Sequence, residues 1–117
     1  RSARRIRDIV RAKLGVTVGV IVSDTFGRPW RKGLTDVAIG VAGIAGVVDL
    51  RGTEDALGRV MQVTEVAVAD ELACAAELVM GKSTGVPVAI IRGADPMWFR
   101  DSSMDEIVRP PSEDLFR

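Results

Sequence analysis

Residues 23–33 bring together the side chains best suited to chemistry, namely Asp24, Thr25, Arg28 and Arg31. They follow a β-branched run, which predicts that Asp24 lies at the end of a strand, where α/β proteins place their ligands. A carboxylate beside a threonine suits a divalent ion shared with phosphate oxygens, and the two arginines suit phosphate or carboxylate charge. From spacing alone, a turn capped by Asp24 with solvated arginines is the commoner arrangement.

Trp30 and Asp36 each have two interpretations. Trp30 is either a stacking platform for a ring system or a packed anchor of the loop, and its residue type alone favours the anchor. Asp36 follows Thr35 at the start of a predicted strand. It either orients Arg28 or Arg31 through a salt bridge or serves as an ordinary cap.

The stretch Gly81-Lys82-Ser83 resembles the end of a phosphate-binding P-loop. Ala76 stands where the first glycine of that motif belongs, and the stretch ends a predicted helix, whereas a P-loop begins one. The sequence therefore favours a helix C-terminal cap in which Lys82 compensates the helix dipole. Cys74, in the same alanine-rich helix, is expected to be buried and unreactive.

The elements that must position these residues alternate between helices and strands. In the first half of the chain we expect a helix over 2–14 with Ser2 as its N-cap and Gly15 as its stop, a buried strand over 16–22, a loop over 23–33 and a strand over 35–44. In the second half we expect turns over 49–58, a helix over about 64–80 closed by Gly81, and a buried strand over 86–92. On the long helix, Glu65 suits the first turn, and Asp70 and Glu71 suit a solvated face. This order predicts an α/β fold whose mixed sheet packs against the basic N-terminal helix and the long alanine-rich helix. Residues 1–93 form its core, and residues 94–117 form an irregular C-terminal tail.

Composition narrows the classes of function. The chain has 117 residues, 47% of them hydrophobic, with no histidine and one cysteine, so histidine triads, histidine metal sites and disulfide scaffolds are excluded. Sixteen basic and sixteen acidic residues cancel, which argues against duplex DNA or RNA as a partner. The sequence shows neither a membrane span nor a signal peptide, and we expect a cytoplasmic protein that does not bind membranes.

Several stretches, in order, resemble the coenzyme F420-0:L-glutamate ligase family. They are 23–31, 35–44, Asp55-x-x-Gly58, 63–72, 80–82 and 87–93, with further likeness at 109–111 and 113–116. The resemblance covers about residues 1–93. It implies that GTP phosphorylates the carboxylate of the deazaflavin precursor F420-0, and that the amine of L-glutamate then displaces phosphate to form an amide.

The same resemblance implies roles for individual residues. Asp24 and Thr25 match the metal-binding pair, for Mg2+ or Mn2+; Arg28 and Arg31 are candidates for the anionic substrates, with Asp24 beside them in the catalytic set. Gly81 and Lys82 fall near a nucleotide-contacting stretch of the family. Family members form intertwined homodimers, so the fold is expected to be part of a larger intertwined ligase, with GTP, L-glutamate and F420-0 as partners.

Two departures from the family pattern are visible. Lys32 and Leu34 stand where the family commonly has Asn and Gln. The family's N-terminal part, which carries an Asp-x-Ser-Asn motif with another metal ligand, is not in this sequence, and the first residue is Arg1. We therefore expect a C-terminal portion of such a ligase, lacking part of the active site. The alternative is a non-catalytic oligomerisation or anion-binding module that retains the scaffold.

Overall fold

The structure, a computed structural model, describes residues 1–62 and 64–116; Val63 and Arg117 lie outside the described residues. These residues form a small α/β fold, as predicted. Its elements are the helices α1 (Ser2–Leu14) and α2 (Val68–Met80), the strands β1 (Val20–Arg28), β2 (Arg31–Ala42), β3 (Val48–Asp49) and β4 (Glu65–Val66), and three 3-10 turns at Pro96–Trp98, Met104–Glu106 and Pro111–Glu113. No helix among the described residues is long and apolar enough to cross a membrane.

Helix α1 has the predicted bounds. Gly15 ends it in the left-handed conformation, with φ 65°, and donates its N–H to the carbonyl of Arg11 at 2.9 Å. This is the conformation that a residue without a Cβ adopts at low cost. The prediction of Ser2 as the N-cap was wrong: Arg1 occupies the cap position without a side-chain cap bond, and Ser2 is the first helical residue.

Strands β1 and β2 form an antiparallel hairpin, so the prediction of a loop over 23–33 was wrong. Pro29 and Trp30 occupy the turn between the paired residues Arg28 and Arg31. Proline presets the backbone for such a turn, and the flanking residues continue as strands. A register shift between Val22 and Ser23 adds an extra residue to β2 and bends the ribbon.

Both ladders that the described residues form are antiparallel, and β3 with β4 contributes only two residue pairs. The predicted mixed sheet is therefore not formed by residues 1–62 and 64–116. The predicted buried strand at 86–92 is also wrong, because this segment pairs with no strand among the described residues and lies mostly exposed. Pro87 cannot donate to a ladder, and a β-branched composition makes a strand only where a neighbour pairs with it.

The core lies where α2 crosses β2. Ala38, Val41 and Ala69 form its centre, with Met104 of the second 3-10 turn and Ile107, the residue after that turn, packed against it. Small residues on both elements let the helix approach the ribbon closely. Helix α2 begins four residues later than predicted and ends at Gly81 as predicted, which sets Lys82 beside the ribbon.

Candidate functional site

The candidate site lies where β1, β2 and the segment after α2 meet. The Lys82 Nζ donates to Asp36 Oδ1 at 2.6 Å and to Thr25 Oγ1 at 2.7 Å. Thr25 and Asp36 are cross-strand partners in the hairpin. One ammonium group therefore ties both strands to the end of α2.

Asp36 is the buried member of this cluster, with 5% of its surface exposed. Ser23 Oγ donates to its Oδ2 at 3.4 Å, and the Cys74 thiol of α2 donates to its backbone carbonyl at 3.1 Å. A salt bridge from Asp36 to Arg28 or Arg31 was one prediction and a cap was the other. Both were wrong, since Lys82 is the cation that pairs with Asp36.

Lys82 directly follows the glycine that ends α2, and its side chain is held in the charged form. Gly81, with φ 68°, ends α2 and donates its N–H to the carbonyl of Glu77 at 2.8 Å, so the predicted helix cap is confirmed. Hydrogen bonding to Asp36 is the main cause that raises the pKa of Lys82, and the nearby Glu77 carboxylate, at 3.7 Å, acts in the same direction. The lysine therefore stays charged, and it does more than compensate the helix dipole because it reaches across to the hairpin.

Asp24 and Thr25 occupy the middle of β1 rather than the end of a parallel strand. The Asp24 carboxylate is exposed and accepts the Thr25 N–H through Oδ1 at 2.7 Å. Neighbouring residues of a strand point to opposite faces. The side chain of Thr25 therefore lies on the same face as Ser23, and the side chain of Asp24 lies on the opposite face. The structure thus joins Thr25 to Lys82 and Asp36, whereas Asp24 lies on the other face of β1 and contacts the backbone N–H of Thr25.

Asp24 and Thr25 carry oxygen donors of the type that suits a hard divalent ion. Carboxylate and hydroxyl oxygens, as in Asp24 and Thr25, are ligands that Mg2+ and Mn2+ take. Among residues 1–62 and 64–116, however, no group of three or more His, Cys, Asp or Glu residues is arranged to hold a metal ion. Asp24 and Thr25 therefore carry oxygens of the type that such an ion takes, but the described residues do not by themselves form a complete metal-binding group.

Arg28 and Arg31 lie apart from the cluster, at the turn of the hairpin. Along the ladder their pair is three residue pairs beyond Thr25 and Asp36, which corresponds to roughly 10 Å. Arg28 donates to the carbonyl of Lys32 at 3.1 Å, and in the part of the chain that the structure describes its buried Nε has no hydrogen-bond partner. Trp30 is 82% exposed, so the prediction that it packs as an anchor was wrong.

Sequence reasoning did not predict the contacts or positions of the acidic residues near α2. Asp70, predicted to be solvated, accepts the Ala38 N–H of β2 at 2.9 Å. Glu65 was predicted on the long helix and instead lies in β4. Cys74 is half-buried. One sequence signal could have predicted the ion pair with Lys82. Asp36 is a single carboxylate beside a run of small and apolar residues, and a carboxylate buried with such a run needs a cation or hydrogen-bond donor.

The residues that form this site lie within a region that matches a known protein family. A family model described as F420-0:Gamma-glutamyl ligase matches residues 1–93, which include the hairpin, α2 and Lys82. The chain belongs to this family. It is thus homologous to an amide-forming ligase.

Individual relatives are similar over the whole chain. A coenzyme F420:L-glutamate ligase of Methanococcus maripaludis strain C7 is 48% identical over 118 residues, covering 100% of this chain and 47% of the relative. The enzyme of the same name from Methanocaldococcus jannaschii is 48% identical over 117 residues, covering 99% of this chain and 47% of the relative. The chain therefore spans about half the length of these curated relatives.

Proposed function

We propose that this chain supplies part of the active site of a GTP-dependent ligase that joins L-glutamate to F420-0. The observation that carries the proposal is the Lys82 ammonium fixed between Asp36 and Thr25 within the family-matched residues. An ammonium group suits the phosphates of a nucleoside triphosphate, and nearby hydroxyl and carboxylate oxygens suit the metal ion that accompanies them. The relatives' identity as coenzyme F420:L-glutamate ligases supports L-glutamate as the amine substrate.

The proposed reaction has two steps. A carboxylate oxygen of F420-0 attacks the γ-phosphorus of GTP, which forms an acyl phosphate and releases GDP. The amine of L-glutamate then attacks the acyl carbon, loses a proton, and displaces inorganic phosphate as the amide bond forms. Holding the two anionic substrates close together makes both steps effectively intramolecular.

Each candidate residue has a role in this scheme. Lys82, with Gly81 giving the backbone its turn, contacts the phosphates of GTP. Asp24 and Thr25 supply oxygens to Mg2+ or Mn2+, which when bound neutralises phosphate charge. Arg28 and Arg31, at the turn of the hairpin, attract the carboxylate and phosphate groups of the substrates.

The exposed apolar surface supports a larger assembly. Leu78, Val79 and Ile90 are among the large apolar side chains left exposed, and the radius of gyration of 15.8 Å exceeds the roughly 13 Å of a compact chain of this length. A two-stranded ribbon also gains most of its stability from what packs on it. We therefore propose that residues 1–93 form a core completed by further ligase polypeptide in an intertwined homodimer.

The tail over 94–117 contacts this core. Its residues Arg100 and Glu106 form hydrogen bonds with the backbone between β2 and β3.

Asp24→Asn tests the metal assignment in the complete enzyme. The substitution keeps the shape of the side chain and removes its charge, so we expect GTP binding to lose most of its dependence on Mg2+ or Mn2+. Calorimetric titration of GTP with and without the metal measures this. Asp105→Asn, which neutralises another exposed carboxylate, is the matched control and should bind as the wild type does. Equal metal dependence in Asp24→Asn and wild type would refute the role of Asp24.

A second candidate is a non-catalytic oligomerisation or anion-binding module. It is favoured by one observation, the incomplete metal shell among the described residues. Mass spectrometry of the complete protein with GTP, L-glutamate and F420-0 separates the two. A ligase yields GDP and the amide, whereas a module binds GTP and leaves all three compounds unchanged.

A further inference from the structure

The ion pair between Asp36 and Lys82 is unequal in its exposure. The Asp36 side chain is 6% exposed, whereas the Lys82 side chain is 51% exposed. A buried carboxylate without a cation is costly, so the pairing constrains the lysine strongly. Asp36 is therefore the fixed end of the pair, and Lys82 is the end that faces solvent.

Asp36 is held through both its carboxylate and its backbone. Ser23 donates to its second oxygen, Cys74 donates to its backbone carbonyl, and its cross-strand partner Thr25 accepts from the same lysine. Both strands of the hairpin and α2 thus set its position. A group fixed in this way can transmit that position to the lysine.

Lys82 without this carboxylate would be mobile. It belongs to a segment bounded by Gly81 and Gly85, both at positive φ, and a lysine side chain has a large rotamer entropy. Among the described residues, Asp36 and Thr25 take two of its hydrogen bonds, whereas Glu77 stands at 3.7 Å, beyond hydrogen-bond distance. The third N–H can therefore turn to an incoming anionic oxygen while the other two keep the ammonium in place.

We propose that Asp36 is a positioning residue for nucleotide binding, which acts through Lys82 by holding its ammonium against Thr25 in the orientation that a phosphate oxygen requires. The inference rests on the proposed function, since it takes GTP as the ligand of Lys82. It adds a residue that touches no substrate. Ordering the lysine before GTP arrives lowers the entropy that binding must offset.

The test is a double-mutant cycle in the complete enzyme, read out as the dissociation constant of GTP. Loss of a charge-assisted contact in Lys82→Met should weaken GTP binding roughly 10- to 100-fold. Asp36→Asn alone should weaken it roughly tenfold, because the lysine remains but is no longer held. In the double variant the Asp36→Asn substitution should add no further loss, since its effect passes through a residue that is absent.

A structural role would give a different pattern. If Asp36 only stabilises the fold, Asp36→Asn would weaken GTP binding by the same factor with and without Lys82, and that result overturns the proposal. Should Asp36→Asn fail to fold, Lys82→Arg provides the second test at a half-exposed position. Its charge is retained but the planar guanidinium cannot reproduce both short contacts, so we expect at least fivefold weaker binding. Wild-type affinity in Lys82→Arg would overturn the proposal.

The outcomes separate this inference from the proposed function. Wild-type enzyme that binds no GTP refutes the proposed function, and the inference with it. Wild-type enzyme that binds GTP, combined with additive effects in the cycle, refutes the positioning role of Asp36 alone. Non-additive effects with the expected order of affinities support both.

Discussion

Replacing Asp70 with alanine removes the carboxylate that accepts the Ala38 N–H at 2.9 Å. This bond joins the first turn of α2 to the middle of β2, and Ala38 is buried in the core. A buried N–H left without an acceptor loses its hydrogen bond and regains little from water. We therefore expect Asp70→Ala to lower the free energy of unfolding by about 2 kcal/mol, and the midpoint of thermal unfolding by about 8 °C.

Glu71→Ala is the matched control, because Glu71 is the next residue in the same first turn and is exposed. Both substitutions remove one acid from the N-terminus of α2 and introduce the same helix-forming residue. Urea unfolding followed by circular dichroism measures the difference. Glu71→Ala should change the free energy of unfolding by less than about 0.5 kcal/mol.

Asp70→Asn distinguishes the hydrogen bond from the charge. The amide oxygen of asparagine still accepts a hydrogen bond, so this variant should retain most of the stability that Asp70→Ala loses. Equal unfolding free energies in Asp70→Ala and Glu71→Ala would refute the reasoning. They would mean that the bond to Ala38 does not anchor α2.

Two further predictions concern the core and the tail. Val68→Ala, at a residue 2% exposed, should cost about 2 kcal/mol in urea unfolding. Val108→Ala, at a residue 62% exposed in the tail, should change stability by less than about 0.5 kcal/mol, and equal losses would contradict the assigned core. Hydrogen bonding from Arg100 lowers the pKa of Glu106 below its ordinary value. The stability that this carboxylate adds is therefore present above its unfolded pKa and is lost as pH falls through the folded pKa. Urea unfolding from about pH 6 to about pH 3 should show the advantage of wild type over Glu106→Gln shrinking with acid, and a constant difference would refute it.

Local signals determined which elements could be predicted from the sequence. Gly15 and Gly81 mark helix ends through the backbone conformation that each end requires, and both positions are confirmed. The hairpin was mistaken for a loop because glycine, proline and aromatic residues at 26–30 suggested irregular backbone. In fact Pro29 and Trp30 occupy only the turn, and the strands continue on both sides.

The relations between distant residues could not be predicted from local pattern. Asp36 and Lys82 are 46 residues apart, and neither residue's neighbours indicate the other. The same holds for Asp70 and Ala38, since helix periodicity cannot distinguish a solvated carboxylate from one that accepts a strand N–H. Residues 86–92 have the composition of a buried strand, but pairing requires a neighbour that none of the described residues provides.

The affinity of GTP for Lys82→Met, compared with wild type, tests the central claim most directly. Lys13→Met, at an exposed lysine of α1, controls for the loss of one positive charge. Calorimetric titration of GTP into the complete enzyme with Mg2+ present should show roughly 10- to 100-fold weaker binding in Lys82→Met, with Lys13→Met binding as wild type does. Equal affinity in all three proteins would contradict the assignment of Lys82 to the nucleotide phosphates.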